Sequence, residues 1–189
     1  MRYTIIAGLN GVGKSTAYSI LSQSEKTSLG KRINPDEIVS LLGDWNDSRI
    51  QFIAGRQAVR EIKKCLENGC DFHQETTLAG QSIIKTVKKA KQKGFEVHLW
   101  YIYVDTVEIA KQRVRDRVAS GGHGIPEEII ERRSLTSLKT LKEIVPLCNE
   151  VRLYDNTEVY NPTARIINGR LKILDNNIPF QILSCLQGG

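Results

Sequence analysis

The sequence holds four cysteines, Cys65, Cys70, Cys148 and Cys185, and none of them forms a CxxC pair. No cysteine–histidine grouping has the spacing of a zinc site. A chain of 189 residues needs no disulfides to stabilise its core, so reduced thiols are expected. Long apolar runs are missing as well. The opening Met1-Arg2-Tyr3-Thr4-Ile5-Ile6-Ala7-Gly8 is too short for the apolar core of a signal peptide, and no other run approaches the roughly 20 residues of a membrane helix. A cytoplasmic protein with no membrane partner is expected. Internal repeats and low-complexity segments are absent. So is the Asn-Lys-x-Asp motif that specifies guanine in GTP switches. Basic residues are not interleaved with aromatics in the way single-stranded nucleic acid prefers, which makes nucleic acid an unexpected partner.

What is present is an ordinary globular composition, 40% hydrophobic and 25% charged, with a length that suits one domain. The net charge of +6 favours anionic partners such as nucleotides, phosphosugars, nucleic acid or a membrane surface, without choosing among them. The densest basic stretch, from Lys85 to Lys93, reads as the solvated face of a helix.

Strand-like and helix-like patterns alternate along the chain. Strands are predicted at Tyr3 to Ala7, Arg32-Ile33, Phe72 to Thr76, Phe95 to Val104 and Glu150 to Tyr154. Helices are predicted at Lys14 to Ser22, Ser48 to Glu67, Gln81 to Lys93, Thr106 to Ala119 and Glu127 to Leu147, the last with Pro126 suited to its first turn. The third of these ends at Gly94, and the second shows its apolar face through Phe52, Ala58, Val59, Ile62 and Leu66. Such alternation predicts an α/β fold, a parallel five-stranded sheet flanked by helices. From Ala164 to Leu174, Asn168-Gly169 separates two apolar runs, the strongest short-range signal of a β-hairpin. This small C-terminal hairpin is expected as an antiparallel appendage, with 161–189 belonging to the same domain as 1–160.

The sharpest motif is Gly8-Leu9-Asn10-Gly11-Val12-Gly13-Lys14-Ser15, followed by Thr16. It fits G-x-x-x-x-G-K-S between a strand and a helix, the context of a P-loop. Triphosphate oxygens need several convergent N–H donors, and glycines let the backbone curl around them. The helix beginning near Lys14 adds its positive end. Lys14 is expected to reach the outer phosphates and the Ser15 hydroxyl to ligate Mg²⁺. Kinases, switches and mechanical ATPases all share this loop, so the acceptor side has to decide between them.

Beyond the loop, several stretches are familiar together. They are Ala7 to Thr16, Ile33-Asn34-Pro35-Asp36, Glu75-Thr76-Thr77-Leu78-Ala79-Gly80, Arg113 to Val118 running into Gly121-Gly122-His123-Gly124-Ile125-Pro126, Arg132-Arg133, and Tyr154-Asp155-Asn156. In this order the chain resembles the zeta-toxin family of P-loop kinases, over residues from about 5 to 156. The resemblance implies a P-loop NTPase fold like that of adenylate kinase, with a lid at about 118–127. It implies ATP or GTP as donor, Mg²⁺, and phosphorylation of a hydroxyl. The best-known family acceptor is UDP-N-acetylglucosamine, and an antitoxin protein is a possible partner.

Asp36 follows a strand at the sheet edge where α/β folds bind ligands. Its carboxylate can take the proton of an attacking hydroxyl, or it can cap a helix starting near Glu37. The resemblance assigns it the base. Glu75 ends the next strand and can sit near Mg²⁺ or grip the acceptor, and the resemblance places it on the acceptor, with the Thr76 and Thr77 hydroxyls beside it. Asp105 also follows a strand, and it is read here as the N-cap of the next helix rather than as a metal-site acid. Phosphoryl transfer needs cations over the transferred group. Arg113 and Arg117 share a helix face, and Arg117 precedes the glycine-rich lid. Arg132 and Arg133 point about 100° apart, so one faces the phosphates, and Arg133 lies nearer the apolar stripe. His123 is expected to contact substrate or phosphate, or only to shape the lid. Asn156 can meet the nucleotide base or begin a turn.

The reading is therefore a kinase carrying phosphate from a nucleoside triphosphate to a small-molecule hydroxyl. A polynucleotide 5′-hydroxyl kinase and a nucleotide-binding switch without transfer chemistry stand as alternatives.

Overall fold

The computed structural model describes residues 1–24, 29–45 and 47–186, with the side chains of 21–24 left aside. Five parallel strands lie in the order β2-β3-β1-β4-β5. They are β1 (Arg2–Ala7), β2 (Lys31–Ile33), β3 (Phe72–Thr76), β4 (Glu96–Tyr103) and β5 (Glu150–Asp155). The P-loop strand β1 sits in the middle, bonded to β3 on one side and to β4 on the other. The Glu75 strand is thus one of its two neighbours.

The sheet is longer than the five strands expected. β6 (Asn161–Ile167) pairs antiparallel with β5, and β7 (Arg170–Ile173) pairs with β6, so the hairpin continues the sheet instead of hanging from it. Its turn residues Asn168 and Gly169 have φ of 49° and 78°, the left-handed pair that a two-residue hairpin turn requires.

Helices cover both faces, because each strand buries alternate side chains on opposite sides. On one face Ile6, Trp100, Ile102 and Tyr154 pack with Ala17 of α1 (Lys14–Ser24) and Ala110 of α5 (Val107–Ala119). On the other, Tyr3, Ile5, Leu99, Tyr101 and Leu153 pack against α3 (Ser48–Asn68), α4 (Ser82–Gln92), α6 (Glu127–Ile144) and α7 (Phe180–Leu186). The lysines of the 85–93 segment are exposed on α4, the solvated face expected of them.

Several local expectations change. A short helix α2 (Pro35–Leu42) follows β2, and its N-cap is Asn34, whose side chain accepts from the Asp36 amide at 3.0 Å. Asp36 is therefore inside the first turn and does not cap it. Asp105 is not a cap either, because Thr106 Oγ1 accepts from the Ile109 amide and begins α5. Pro126 occupies the cap position of α6, one place ahead of its first turn. On α3 the buried residues are Ala54, Ala58, Ile62, Cys65 and Leu66, while Phe52 and Val59 face solvent. α7 was not anticipated, since seven residues carry too little periodicity to declare a helix. Among the described residues no helix is long and apolar enough to cross a membrane.

Candidate active site

Because β1 to β5 are parallel, their carboxyl ends share one edge, and register aligns them there: Ala7 faces Thr76, and Tyr103 faces Asp155. The loops leaving this edge carry nearly all of the candidate residues.

The loop between β1 and α1 takes a conformation that side chains resist. Gly8 and Gly11 have φ of 146° and 87°. A Cβ on Gly8 would lie 2.2 Å from the Ile102 carbonyl oxygen, and one on Gly11 would lie 2.2 Å from that of Ala110. Gly13 has φ of 86° and is backed by the Asn156 amide. Lys14 Nζ folds back to donate to the Leu9 carbonyl at 2.9 Å. Burial pushes its ammonium down to about 8, against the pull of the Glu75 and Asp36 carboxylates and with the added push of Arg117 and Arg133. Such a cation, half-buried at the cleft and with no carboxylate bonded to it among the described residues, is suited to an anionic ligand. Val12 is buried, and Thr16 is exposed in the first turn of α1.

Next to this loop, Ser15 Oγ donates to Glu75 Oε2 at 3.0 Å, and Arg32 donates to Glu75 Oε1 at 2.6 Å while also pairing with Glu37. Both oxygens of Glu75 are thus engaged, one by the hydroxyl expected to ligate Mg²⁺. The donor set fits that ion: a serine hydroxyl with a buried carboxylate beside it, at the foot of a phosphate cradle. Among the described residues no group of three or more acidic, cysteine or histidine side chains offers an alternative metal cage.

A cleft of about 510 Å³ opens above, lined by Asn10, Lys14, Asp36, Glu75, Thr76, Thr77 and Arg133 among others. Asp36 is exposed to it, free of the helix cap. Thr76 Oγ1 accepts from the Leu78 amide at 3.1 Å, a bond that shapes the turn after β3. Arg133 Nη1 donates to Asn10 Oδ1 at 2.8 Å and so ties α6 to the P-loop. Arg132 is exposed and does not line the cleft. Arg117 keeps Nε and Nη2 buried with no hydrogen-bond partner among the described residues, and its carbonyl accepts from the Gly122 amide at the base of the lid. Arg113 turns elsewhere, donating to the Thr157 carbonyl.

Two candidates make contacts that no local pattern announces. Asn156 Nδ2 donates to the Val12 carbonyl at 2.8 Å, which braces the P-loop from behind. His123 stacks on Trp45, with ring centroids 3.8 Å apart and planes 4° apart. Burial and the nearby Arg117 guanidinium hold the His123 pKa below its ordinary value, with Asp36 opposing. Arg32, Asn10 as the partner of Arg133, and Trp45 were missed. Arg32 stands just before the Ile33 to Asp36 motif, a signal that was available. Trp45 lies in the span from Leu41 to Ile50, where no pattern declares what it faces.

The zeta toxin family model matches residues 2–165 of the chain. An uncharacterised protein of Haemophilus influenzae is 38% identical over 126 residues, which is 67% of this chain and 87% of its own. Among solved structures, the PezAT chromosomal toxin–antitoxin system of Streptococcus pneumoniae is similar, with a TM-score of 0.61 and 16% identity over 84% of this chain and 70% of that one. The AvrRxo1-ORF1:-ORF2 complex with ATP gives a TM-score of 0.70 and 17% identity, covering 92% of this chain and 60% of that one. At such identities the two structures speak for a shared P-loop kinase fold.

Proposed function

The chain belongs to the zeta toxin family, and from that premise we propose that it transfers the γ-phosphate of ATP or GTP to a hydroxyl of a small molecule. UDP-N-acetylglucosamine, the acceptor implied by the family resemblance, is the first to test. The observation that carries the reading is that Lys14, Asp36, Glu75 and Arg133 open onto one cleft, with Ser15 bonded to Glu75 beside it. A switch needs the phosphate cradle but has no use for a free carboxylate facing it across an acceptor-sized space.

In this reading the glycine loop and Lys14 hold the triphosphate, and Ser15 would hold Mg²⁺ with Glu75 adjacent. Mg²⁺ supplies charge neutralisation across the β- and γ-phosphates. Asp36 accepts the proton of the acceptor hydroxyl as the hydroxyl oxygen bonds to the γ-phosphorus and the bond from that phosphorus to the β–γ bridging oxygen breaks, releasing the nucleoside diphosphate. Arg133, fixed by Asn10, and Arg117, whose Nε and Nη2 are buried with no hydrogen-bond partner among the described residues, offer donors to the equatorial oxygens, where negative charge gathers during transfer. Closure of the lid keeps water from competing with the acceptor. Thr76, Thr77 and Glu75 border the acceptor side. Asn156 acts from behind, by holding the loop in shape.

ATP as donor is supported by the AvrRxo1 complex, which was crystallised with it, and an antitoxin partner is supported by the PezAT system. The test is incubation with γ-labelled ATP or GTP, Mg²⁺ and a panel of nucleotide sugars, nucleosides, sugars and 5′-hydroxyl oligonucleotides. Label on one small acceptor, lost in Asp36→Asn, is the expected result. Label on the oligonucleotide would replace the reading with a polynucleotide kinase, and tight nucleotide binding with no transfer to any acceptor would favour a switch.

A further inference from the structure

Trp45 lines the same cleft as Lys14 and Asp36, yet the mechanism above gives it no task. Its position is secured. The Trp45 carbonyl accepts from Gln51 Nε2 at 2.6 Å, and Asp47 caps α3 immediately afterwards through the Arg49 amide. The ring covering it is held differently. His123 belongs to the glycine-rich lid, and its buried Nε2 has no hydrogen-bond partner among the described residues. Gly121 and Gly122 precede it and Gly124 follows. The stacking pair therefore joins a ring whose own backbone is bonded to α3 to a ring on a glycine-flanked segment.

The geometry of the pair is informative. Aromatic side chains usually pack offset or edge-on, with centroids 4.5–7 Å apart. Here the planes are 4° apart and the centroids only 3.8 Å, so the imidazole lies flat over the indole. That is the arrangement of a base on an aromatic platform. A small, planar heteroaromatic ring thus lies flat on the indole, a contact that another planar ring of similar thickness can replace.

We propose that Trp45 is the specificity-determining residue for the acceptor, a platform on which a planar nucleobase of the acceptor stacks in exchange for His123. The inference rests on the kinase reading for the word acceptor, but its binding content stands apart. Displacing His123 from Trp45 frees the lid segment to move, so occupation of the platform is coupled to the position of Arg117, whose carbonyl is bonded to Gly122.

The test is calorimetry with the donor site saturated by a non-hydrolysable ATP analogue and Mg²⁺. Uridine, cytidine, adenosine and guanosine 5′-monophosphates are the base-bearing probes, and ribose 5-phosphate and glucose 1-phosphate lack a base. At least one nucleotide should bind, lose affinity by about tenfold or more in Trp45→Ala, and recover most of it in Trp45→Phe. The sugar phosphates should be indifferent to Trp45. The chain has two tryptophans and Trp100 is buried, so Trp100→Phe leaves Trp45 as sole emitter, and its emission should change on binding of that nucleotide and on His123→Ala alone. Equal affinity in native and Trp45→Ala proteins, no binding of any base-bearing probe, or dependence on Trp45 confined to the sugar phosphates would overturn the proposal. Trp45-dependent nucleotide binding without transfer to any acceptor would sink the kinase reading and leave the platform. Transfer to an acceptor with an unchanged KM in Trp45→Ala would do the reverse.

Discussion

Arg133 donates to the side-chain oxygen of Asn10 at 2.8 Å, joining the middle of α6 to the crest of the P-loop across 123 residues of sequence. The bond aims a half-buried guanidinium at the space over Lys14. If Arg133 stabilises the transferred phosphoryl group, Arg133→Ala should lower kcat by about 10²–10³-fold, the scale of losing one preorganised donor. Arg133→Lys should recover little, since an ammonium lacks the planar fork needed to serve Asn10 and phosphate together. Asn10→Ala should cost less than Arg133→Ala, because the cation remains but is no longer aimed. Steady-state kinetics on the three variants separates these outcomes, and equal losses for Asn10→Ala and Arg133→Ala would mean the pair is structural.

Lys14 and Asp36 share the cleft and should fail differently. Lys14→Ala removes the cation proposed to meet the outer phosphates, so both nucleotide binding and transfer should be lost. Asp36→Asn keeps shape and removes the base. Transfer should fall by about 10²–10⁴-fold with the nucleotide Kd changed less than twofold. Turnover near native in Asp36→Asn would remove that residue from the chemistry.

The depressed pKa of Lys14 gives two pH effects of opposite sign. Its folded-state value of about 8 lies below the ordinary 10.5, so between these values the unfolded chain binds more protons and stability rises with pH. Over the same range the site loses its cation, so nucleotide affinity should weaken as pH rises past about 8. Thermal unfolding of native and Lys14→Met proteins from pH 7 to 10 should show the stability gap between them shrinking with pH. Nucleotide titrations of the native protein over that range should show affinity falling as pH rises.

His73 supplies a second window. Its ring stacks on Tyr18 and its Nδ1 lies 3.3 Å from the Leu29 carbonyl. Burial, with help from Arg32, pushes its pKa down to about 4, despite the backbone bond that opposes the shift. A folded pKa below the unfolded 6.5 means that stability is lost as pH falls through the interval between 6.5 and 4. The loss is on the order of 3 kcal/mol. Urea denaturation at pH 7 and pH 4.5 should show the drop, and His73→Gln should flatten it.

Gly11 tests the cradle itself. With φ of 87° and the Ala110 carbonyl 2.2 Å from where a Cβ would stand, Gly11→Ala must shift the loop away from α5. The strain is about 1–3 kcal/mol, enough to lower Tm by several degrees. Nucleotide affinity should drop at least tenfold, read by calorimetry.

The regions legible in the residues alone were those with short-range causes. Glycines at fixed offsets, a strand before them and a helix after them announce a P-loop, because phosphate binding depends on backbone shape over eight consecutive residues. Asn168-Gly169 announces its turn for the same reason: left-handed φ at two neighbouring residues is a local demand. Strand and helix periodicities placed the five parallel strands correctly, and the parallel order brought Asp36, Glu75 and the P-loop to one edge. Nothing within a few residues of Asn156 says that its amide will hold Val12, 144 positions away. Nor does anything near Ser15 say that its hydroxyl will meet Glu75, or anything near Trp45 that a lid histidine will lie on its ring. Those contacts exist because packing of the helices on the two sheet faces sets the distance between loops, and hydrogen bonds and ring stacks form only within a few tenths of an ångström of the right separation. Local chemistry marked out the glycine-rich loop as the candidate phosphate site, and the tertiary arrangement decided which side chains surround it.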